Sequence, residues 1–309
     1  MSTLSGNTID FDSARLKLAQ GTAGRGAQSQ LPRTASLHEV QQELGRTLQS
    51  SLELDKVLEI FLRGMQKLLT VESLLYRNES VGVNISIGKA AVHRCSYRIT
   101  HAGEHLGELQ ISRSRRFTEG QLASLESLLG ALLYPLRNAL LYREAVSRAL
   151  SDSLTQAGNR LALNQALERE VQLALRQRTP LSLIVADIDH FKSINDRFGH
   201  AYGDEALKAM ANCTRDCLRA VDGFYRLGGE EFVILLNNTD EPAATLVAER
   251  IRTAVEGMQF AIDGITVPLT LSLGVATRKQ DETAQDLLQR CDKLMYLAKQ
   301  RGRNRIANQ

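Results

Sequence analysis

Gly228-Gly229-Glu230-Glu231-Phe232 places two glycines and two adjacent acids between the β-prone runs Phe224-Tyr225-Arg226-Leu227 and Phe232-Val233-Ile234-Leu235-Leu236. The glycine pair predicts a hairpin, because the primed turns need positive φ at one or both central residues. The acids are harder to account for, since ionised side chains at the mouth of an apolar strand are costly unless a cation or a base meets them. Taken alone they also fit a solvated hairpin tip. A second segment shifts the balance. Leu181-Ser182-Leu183-Ile184-Val185-Ala186 is an apolar run of strand length that ends in Asp187-Ile188-Asp189. Strands this apolar are buried on both faces, so the acids mark the end where the strand meets solvent. Asp187 and Glu230 are then expected on neighbouring strands. Carboxylates from two strands, with a main-chain carbonyl, are hard donors suited to Mg²⁺, which takes one or two carboxylates and completes its shell with water and substrate phosphate. The predicted chemistry is two-metal phosphoryl or nucleotidyl transfer.

The run Asp187-Ile188-Asp189-His190-Phe191-Lys192-Ser193-Ile194-Asn195-Asp196-Arg197-Phe198-Gly199-His200-Ala201-Tyr202-Gly203-Asp204, followed by Gly228 to Phe232, closely resembles the GGDEF family of diguanylate cyclases. The resemblance runs from about Asp152 to Ile306, roughly half the chain. It includes Asp292-Lys293-Leu294-Met295-Tyr296-Leu297-Ala298 and Gly302-Arg303-Asn304-Arg305, which match the family's closing motif. It implies a palm-like α/β domain related to adenylyl cyclases and polymerases, and condensation of two GTP into cyclic di-GMP and two pyrophosphates. One GTP cannot close the ring, so a homodimer with facing active sites is implied as well.

Carried onto matching positions, the resemblance implies that Asp187, the Ile188 carbonyl and Glu230 hold Mg²⁺ (or Mn²⁺). Glu231 would assist the second ion or the 3′-hydroxyl. Asn195 and Asp204 match the guanine readers; an amide and a carboxylate satisfy the acceptor and N–H donors of a guanine edge, whereas adenine leaves them unpaired. Backbone amides around His190 and Phe191 suit a phosphate at a helix start, and Lys192, Lys299 and Arg303 add positive charge. Arg219-Ala220-Val221-Asp222 has the spacing of the family's inhibitory site, where product binds away from the metals, with Arg250 as a further partner. Without the resemblance, Arg219 and Asp222 read as a surface ion pair. Two other classes stay open: a silent cyclic di-GMP receptor acting through Arg219 and Asp222, and an ATP-using cyclase, which Asn195 and Asp204 disfavour.

The elements that position these residues follow from periodicity. Over residues 160 to 309 the pattern predicts helices Arg160 to Arg176, Phe191 to Phe198, Asp204 to Arg219, Ala243 to Val255 and Ala284 to Gln300. Strands are predicted over Leu181 to Asp187, the hairpin, and Val267 to Val275. That is an α/β sandwich with helices on a mixed sheet. Residues 35 to 145 read as a separate α+β sensory or dimerising domain, with helical spacing from Leu37 to Leu69, as in Leu54, Val57, Leu58, Phe61, Leu62 and Met65, and strands Leu74 to Tyr76, Val81 to Ile87, Ala91 to Ile99 and Leu106 to Ile111. A helix starts at Thr118, where Gln121 completes a capping box. Its stripe of Leu122, Leu125, Leu129, Leu132, Leu136 and Leu140 predicts the seam of a helix pair, with a bend at Pro135. In architecture this half looks like a GAF-type domain.

Residues 146 to 159 form a linker ending in Asp152-Ser153-Leu154-Thr155-Gln156-Ala157-Gly158-Asn159-Arg160, which resembles the family's opening motif except that Gln156 and Ala157 replace its usual Gly-Leu. Residues 1 to 34, rich in Ser, Gly, Thr and Gln, are expected to be a mobile tail. Within 309 residues, a 43% hydrophobic and 24% charged composition is that of an ordinary globular protein, and a net charge of +3 is too small to argue for a nucleic-acid or membrane surface. Cys95, Cys213, Cys217 and Cys291 lack framework spacing, which predicts reduced thiols and a cytoplasmic setting. His93, Cys95, His101 and His105 cluster in sequence, but separate surface side chains are expected. The apolar stretch Leu128 to Leu136 is too short to span a membrane, and no secretion signal is expected at the start.

Overall fold

The computed structural model describes residues 7–10 and 36–308. The tail expected over residues 1 to 34 lies outside the described residues apart from Asn7–Asp10, which forms strand β1. The chain divides into two compact units between Val146 and Ser147.

In the first unit, helices α1 (Leu37–Thr47) and α2 (Leu54–Gln66) precede strands β2 (Ser73–Asn78), β3 (Val83–Gly88), β4 (His93–His101) and β5 (Glu104–Arg113). The strands form one sheet in the order β1-β4-β5-β2-β3, antiparallel except for β1 on β4. Helix α3 (Glu119–Leu150) follows. Its expected capping box is present: Thr118 N–H donates to Gln121 Oε1 at 3.1 Å, and Gln121 N–H donates to Thr118 Oγ1 at 3.4 Å. The helix continues through Pro135.

The leucine stripe of α3 finds its partner inside this unit. Leu125, Leu129, Leu132 and Leu136 are buried with Leu44, Leu48, Phe61 and Leu109, and Gln41 Nε2 of α1 donates to Ser127 Oγ at 2.7 Å. Alternating three and four spacing records only that a stripe is covered; helix or sheet can cover it, and here α1, α2 and the sheet do.

The second unit runs α4 (Arg160–Gln177), β6 (Leu181–Ile188), α5 (Phe191–Phe198), α6 (His200–Asp216), β7 (Gly223–Gly228), β8 (Glu231–Asn237), α7 (Glu241–Glu256), the short pair β9 (Ala261–Ile262) and β10 (Ile265–Thr266), β11 (Leu271–Thr277), α8 (Ala284–Gln300) and β12 (Arg305–Ala307). Its sheet has the order β12-β11-β6-β8-β7, antiparallel except for β11 with β12. Strand side chains alternate between faces, and both faces of this sheet carry helices. Ile184, Ala186 and Ile188 pack with Phe232, Ile234 and Ile251 on the side of α5, α6 and α7. Leu181, Leu183 and Val185 pack with Leu163, Leu287 and Met295 on the side of α4 and α8. Asp187 continues that second series, which points it toward α8. The expected strand from Val267 begins only at Leu271.

Candidate functional site

Three elements converge at the end of β6. Asp187 lies opposite Glu231 of β8 and Ser272 of β11 in the strand register. Glu230 sits one residue earlier, in the turn between β7 and β8, where its carbonyl accepts the Ile188 N–H at 3.4 Å. The turn needs its glycines, because Gly228 and Gly229 have φ of 152° and 53°. Asp187 and Glu230 are thus brought together as expected, with Glu231 the direct cross-strand partner of Asp187.

The turn is braced by a residue that the sequence reading passed over. Arg226 donates from Nε and Nη2 to the Gly229 carbonyl at 3.0 and 2.7 Å, and from Nη1 to Asp152 Oδ1 and Oδ2 at 3.0 and 3.2 Å. Asp152 Oδ1 also accepts the Thr155 N–H and hydroxyl. The loop before α4 closes despite its unusual residues. Gln156 adopts the left-handed φ of 58° that glycine takes more easily, and Ala157 is buried. The one available signal for Arg226 was a lone cation inside an otherwise apolar strand.

Asp187 is 3% exposed. Its Oδ2 pairs with Lys299 Nζ of α8 at 2.7 Å, while Oδ1 is buried without a hydrogen-bond partner. Burial raises its pKa to about 6, against the opposing pull of Lys299. Burial also raises that of half-buried Glu230, where Lys299 again opposes. An opposite charge placed beside such groups favours their ionised form. Among the described residues no three His, Cys, Asp or Glu side chains converge on one metal point. The unpartnered Asp187 Oδ1, with Glu230 and the Ile188 carbonyl beside it, fits an ion that takes one or two carboxylates, a backbone oxygen and substrate oxygens, as Mg²⁺ does. Asp189 differs from Asp187 in that both its oxygens are engaged within the fold, by Thr270, Ser272 and the Asn304 N–H.

The expected substrate residues border this point. His190 is left-handed at φ 57° and starts α5 without a side-chain cap, leaving the helix's first amides available to an anion. Buried Phe191 anchors that turn, and Lys192 is exposed on it. Asn195 lies one turn further on; its Oδ1 is buried, has no partner, and lies against Gly203, where a Cβ would overlap it. Asp204 follows Gly203 and is exposed on α6. Arg303 is exposed at φ 61° in the turn after α8.

Arg219 and Asp222 form a turn before β7: the Arg219 N–H donates to Asp222 Oδ2 at 2.9 Å, and the Asp222 N–H donates to the Arg219 carbonyl at 3.0 Å. Arg250 of α7 reaches the same loop, with Nη2 donating to the Cys217 carbonyl at 2.5 Å. Arg219 and Asp222 thus share this loop, and Arg250 meets it from α7 at Cys217. The four cysteines are free thiols. His93 and Cys95 lie at one end of β4, whereas His101 and His105 flank the turn at its other end, and His101 packs edge-on against Tyr134.

The family described as diguanylate cyclase, GGDEF domain, matches residues 149–305. The chain is 45% identical over 131 residues to Diguanylate cyclase A of Treponema denticola, covering 42% of this chain and 35% of that protein. It is 37% identical over 197 residues to Diguanylate cyclase DgcS of Shewanella oneidensis, covering 63% of this chain and 65% of that one. The chain therefore spans between about a third and two thirds of these relatives' lengths. The solved coiled coil and GGDEF domain of DgcB from Caulobacter crescentus, in complex with c-di-GMP, aligns with a TM-score of 0.55 at 29% identity, over 60% of this chain and all of that one.

Proposed function

For a chain that belongs to the GGDEF family of diguanylate cyclases, we propose that its activity is the condensation of two GTP into cyclic di-GMP and two pyrophosphates. The observation that carries this reading is the buried, unpartnered oxygen of Asp187 beside Glu230, at the edge of the α5 amides. Asp187 Oδ1, the Ile188 carbonyl and Glu230 hold Mg²⁺ or Mn²⁺, which when bound draws negative charge off the reacting phosphate and lowers the pKa of the attacking hydroxyl. Lys299 then turns from Asp187 to the phosphates, joined by Lys192 and Arg303, while the α5 amides hold an oxygen of the same chain. Asn195 and Asp204 read the guanine, and Glu231 assists at the 3′-hydroxyl.

Each ring-closing step forms a bond between a 3′-oxygen and the α-phosphorus of the partner GTP and breaks the bond to pyrophosphate; the hydroxyl proton leaves to solvent. Two chains must supply two facing sites. Among the described residues no helix is long and apolar enough to cross a membrane, and the free thiols fit a cytoplasmic setting. The first unit, an α+β body with one largely antiparallel sheet, serves as a GAF-like sensory or dimerising module at residues 35 to 145, joined through 146 to 159 to the cyclase at 160 to 309.

The test is purified protein with GTP and Mg²⁺, followed by chromatography for cyclic di-GMP. Product is expected, and its absence under conditions shown to support dimers overturns the reading. Arg219, Asp222 and Arg250 form a product-inhibition site, since a guanidinium forks onto phosphate or guanine acceptors while a carboxylate takes guanine N–H groups. Arg219→Ala is expected to raise the product concentration at which turnover halves by about tenfold, equivalent to losing one charge-assisted contact. An unchanged inhibition curve removes the regulatory role.

A further inference from the structure

Asp189 is 5% exposed, and among the described residues no lysine or arginine pairs with it. A buried carboxylate in that state must be held by donors. Its Oδ1 accepts from Ser272 Oγ at 2.6 Å, and its Oδ2 accepts from Thr270 Oγ1 at 2.8 Å and from the Asn304 N–H at 2.9 Å. Its own N–H donates to the Thr270 carbonyl at 2.9 Å.

The segments joined here are the informative part. On one side, Asp189 runs directly into left-handed His190 and the open start of α5. On the other, Asn304 follows Arg303, and both are left-handed, at φ of 45° and 61°. Two successive non-glycine residues in that region persist only where their surroundings impose them. The Asn304 side chain supplies the outer half of that constraint, with Nδ2 donating to Glu256 Oε1 at 2.6 Å and Oδ1 accepting from Arg252 Nη1 at 2.9 Å. Asp189 supplies the inner half.

We infer that Asp189 is a positioning residue: it sets the spacing between the α5 amides and the Arg303 turn, the two halves of the triphosphate subsite, without touching nucleotide. This rests on the GTP reading above. Asparagine at this position can keep all three contacts, its oxygen facing Thr270 and Asn304 and its amide donating to a Ser272 hydroxyl that turns to accept. Alanine keeps none of them and removes the inner half of the constraint on the Arg303 turn.

The test is equilibrium binding of a non-hydrolysable GTP analogue and of GMP to the whole chain in Mg²⁺, with steady-state kinetics alongside. Asp189→Ala is expected to weaken the analogue by about tenfold or more, to leave GMP within about twofold, and to raise KM for GTP more than it lowers kcat, because a small displacement of a positioning group loses alignment. Asp189→Asn restores analogue binding. Thr270→Val removes a single donor at nearly constant shape; it gives a smaller loss with the same selectivity, and it decides the matter if the alanine variant does not fold. Wild-type analogue binding in Asp189→Ala or in Thr270→Val, equal losses for analogue and GMP, or no rescue by asparagine overturns the inference. Wild-type protein that binds neither nucleotide overturns the GTP reading instead.

Discussion

Asp187→Asn is expected to abolish the proposed cyclic di-GMP formation while leaving the protein at least as stable as before. Asp187 offers the one buried oxygen at the end of β6 that no donor satisfies, and an amide there cannot supply the same negative charge. Removing such an electrostatic group costs about 10²- to 10³-fold in turnover, and more where the group also assembles the site. Stability moves the other way. The carboxylate is buried and its pKa is pushed up to about 6 by that burial, so the folded state bears the cost of desolvating it. A neutral side chain removes that cost, and Lys299, which keeps part of its surface in water, can turn outward. Turnover by product chromatography and the thermal midpoint of the same sample check both halves. Turnover within about tenfold of wild type contradicts the assignment of Asp187.

Gly274→Ala is expected to produce a large loss of stability. Gly274 is central in β11, opposite Val185, and a Cβ built on it would overlap the carbonyl oxygen of Cys291 and the amide nitrogen of Met295, and would lie 3.0 Å from the Leu294 carbonyl carbon. These are backbone atoms of α8, so no side chain can rotate away; the helix must lift from the sheet. Overpacking of that kind costs about 3 kcal/mol, at the upper end of the usual range. For a unit of this size that lowers the thermal midpoint by roughly 6–12 °C. Lys299 lies about one turn beyond Met295 on the same helix, so its contact with Asp187 is lost together with the packing. Denaturant unfolding measures the change, and a loss under about 1 kcal/mol means that α8 does not rest on Gly274 as described.

The acids of the site were legible because each interrupts a pattern: a glycine pair and two carboxylates ahead of an apolar strand, and a carboxylate ending another. Helices with clear ends were legible too; α5 and α8 have the predicted limits. Asp187 and Asp189, by contrast, look alike in the sequence. One keeps a buried oxygen without a partner and the other is held by two hydroxyls and a backbone amide, a difference set by the register of β6 on β11 and by a turn more than a hundred residues away. The α3 stripe showed that a face is covered and gave no hint of what covers it. Strand β12 is three residues long and gains its structure from parallel pairing with β11, which no local pattern announces.

Arg226 carries one more implication. The carbonyl it grips belongs to the glycine turn, and its opposite end is moored at Asp152, eight positions ahead of α4. A fragment trimmed to the first helix of the sandwich would retain Asp187, Asn195, Asp204, Glu230 and Glu231, yet Arg226 would lose the carboxylate that moors it. The stretch needed to hold the hairpin therefore begins in the loop ahead of α4, at Asp152, and not at the helix itself.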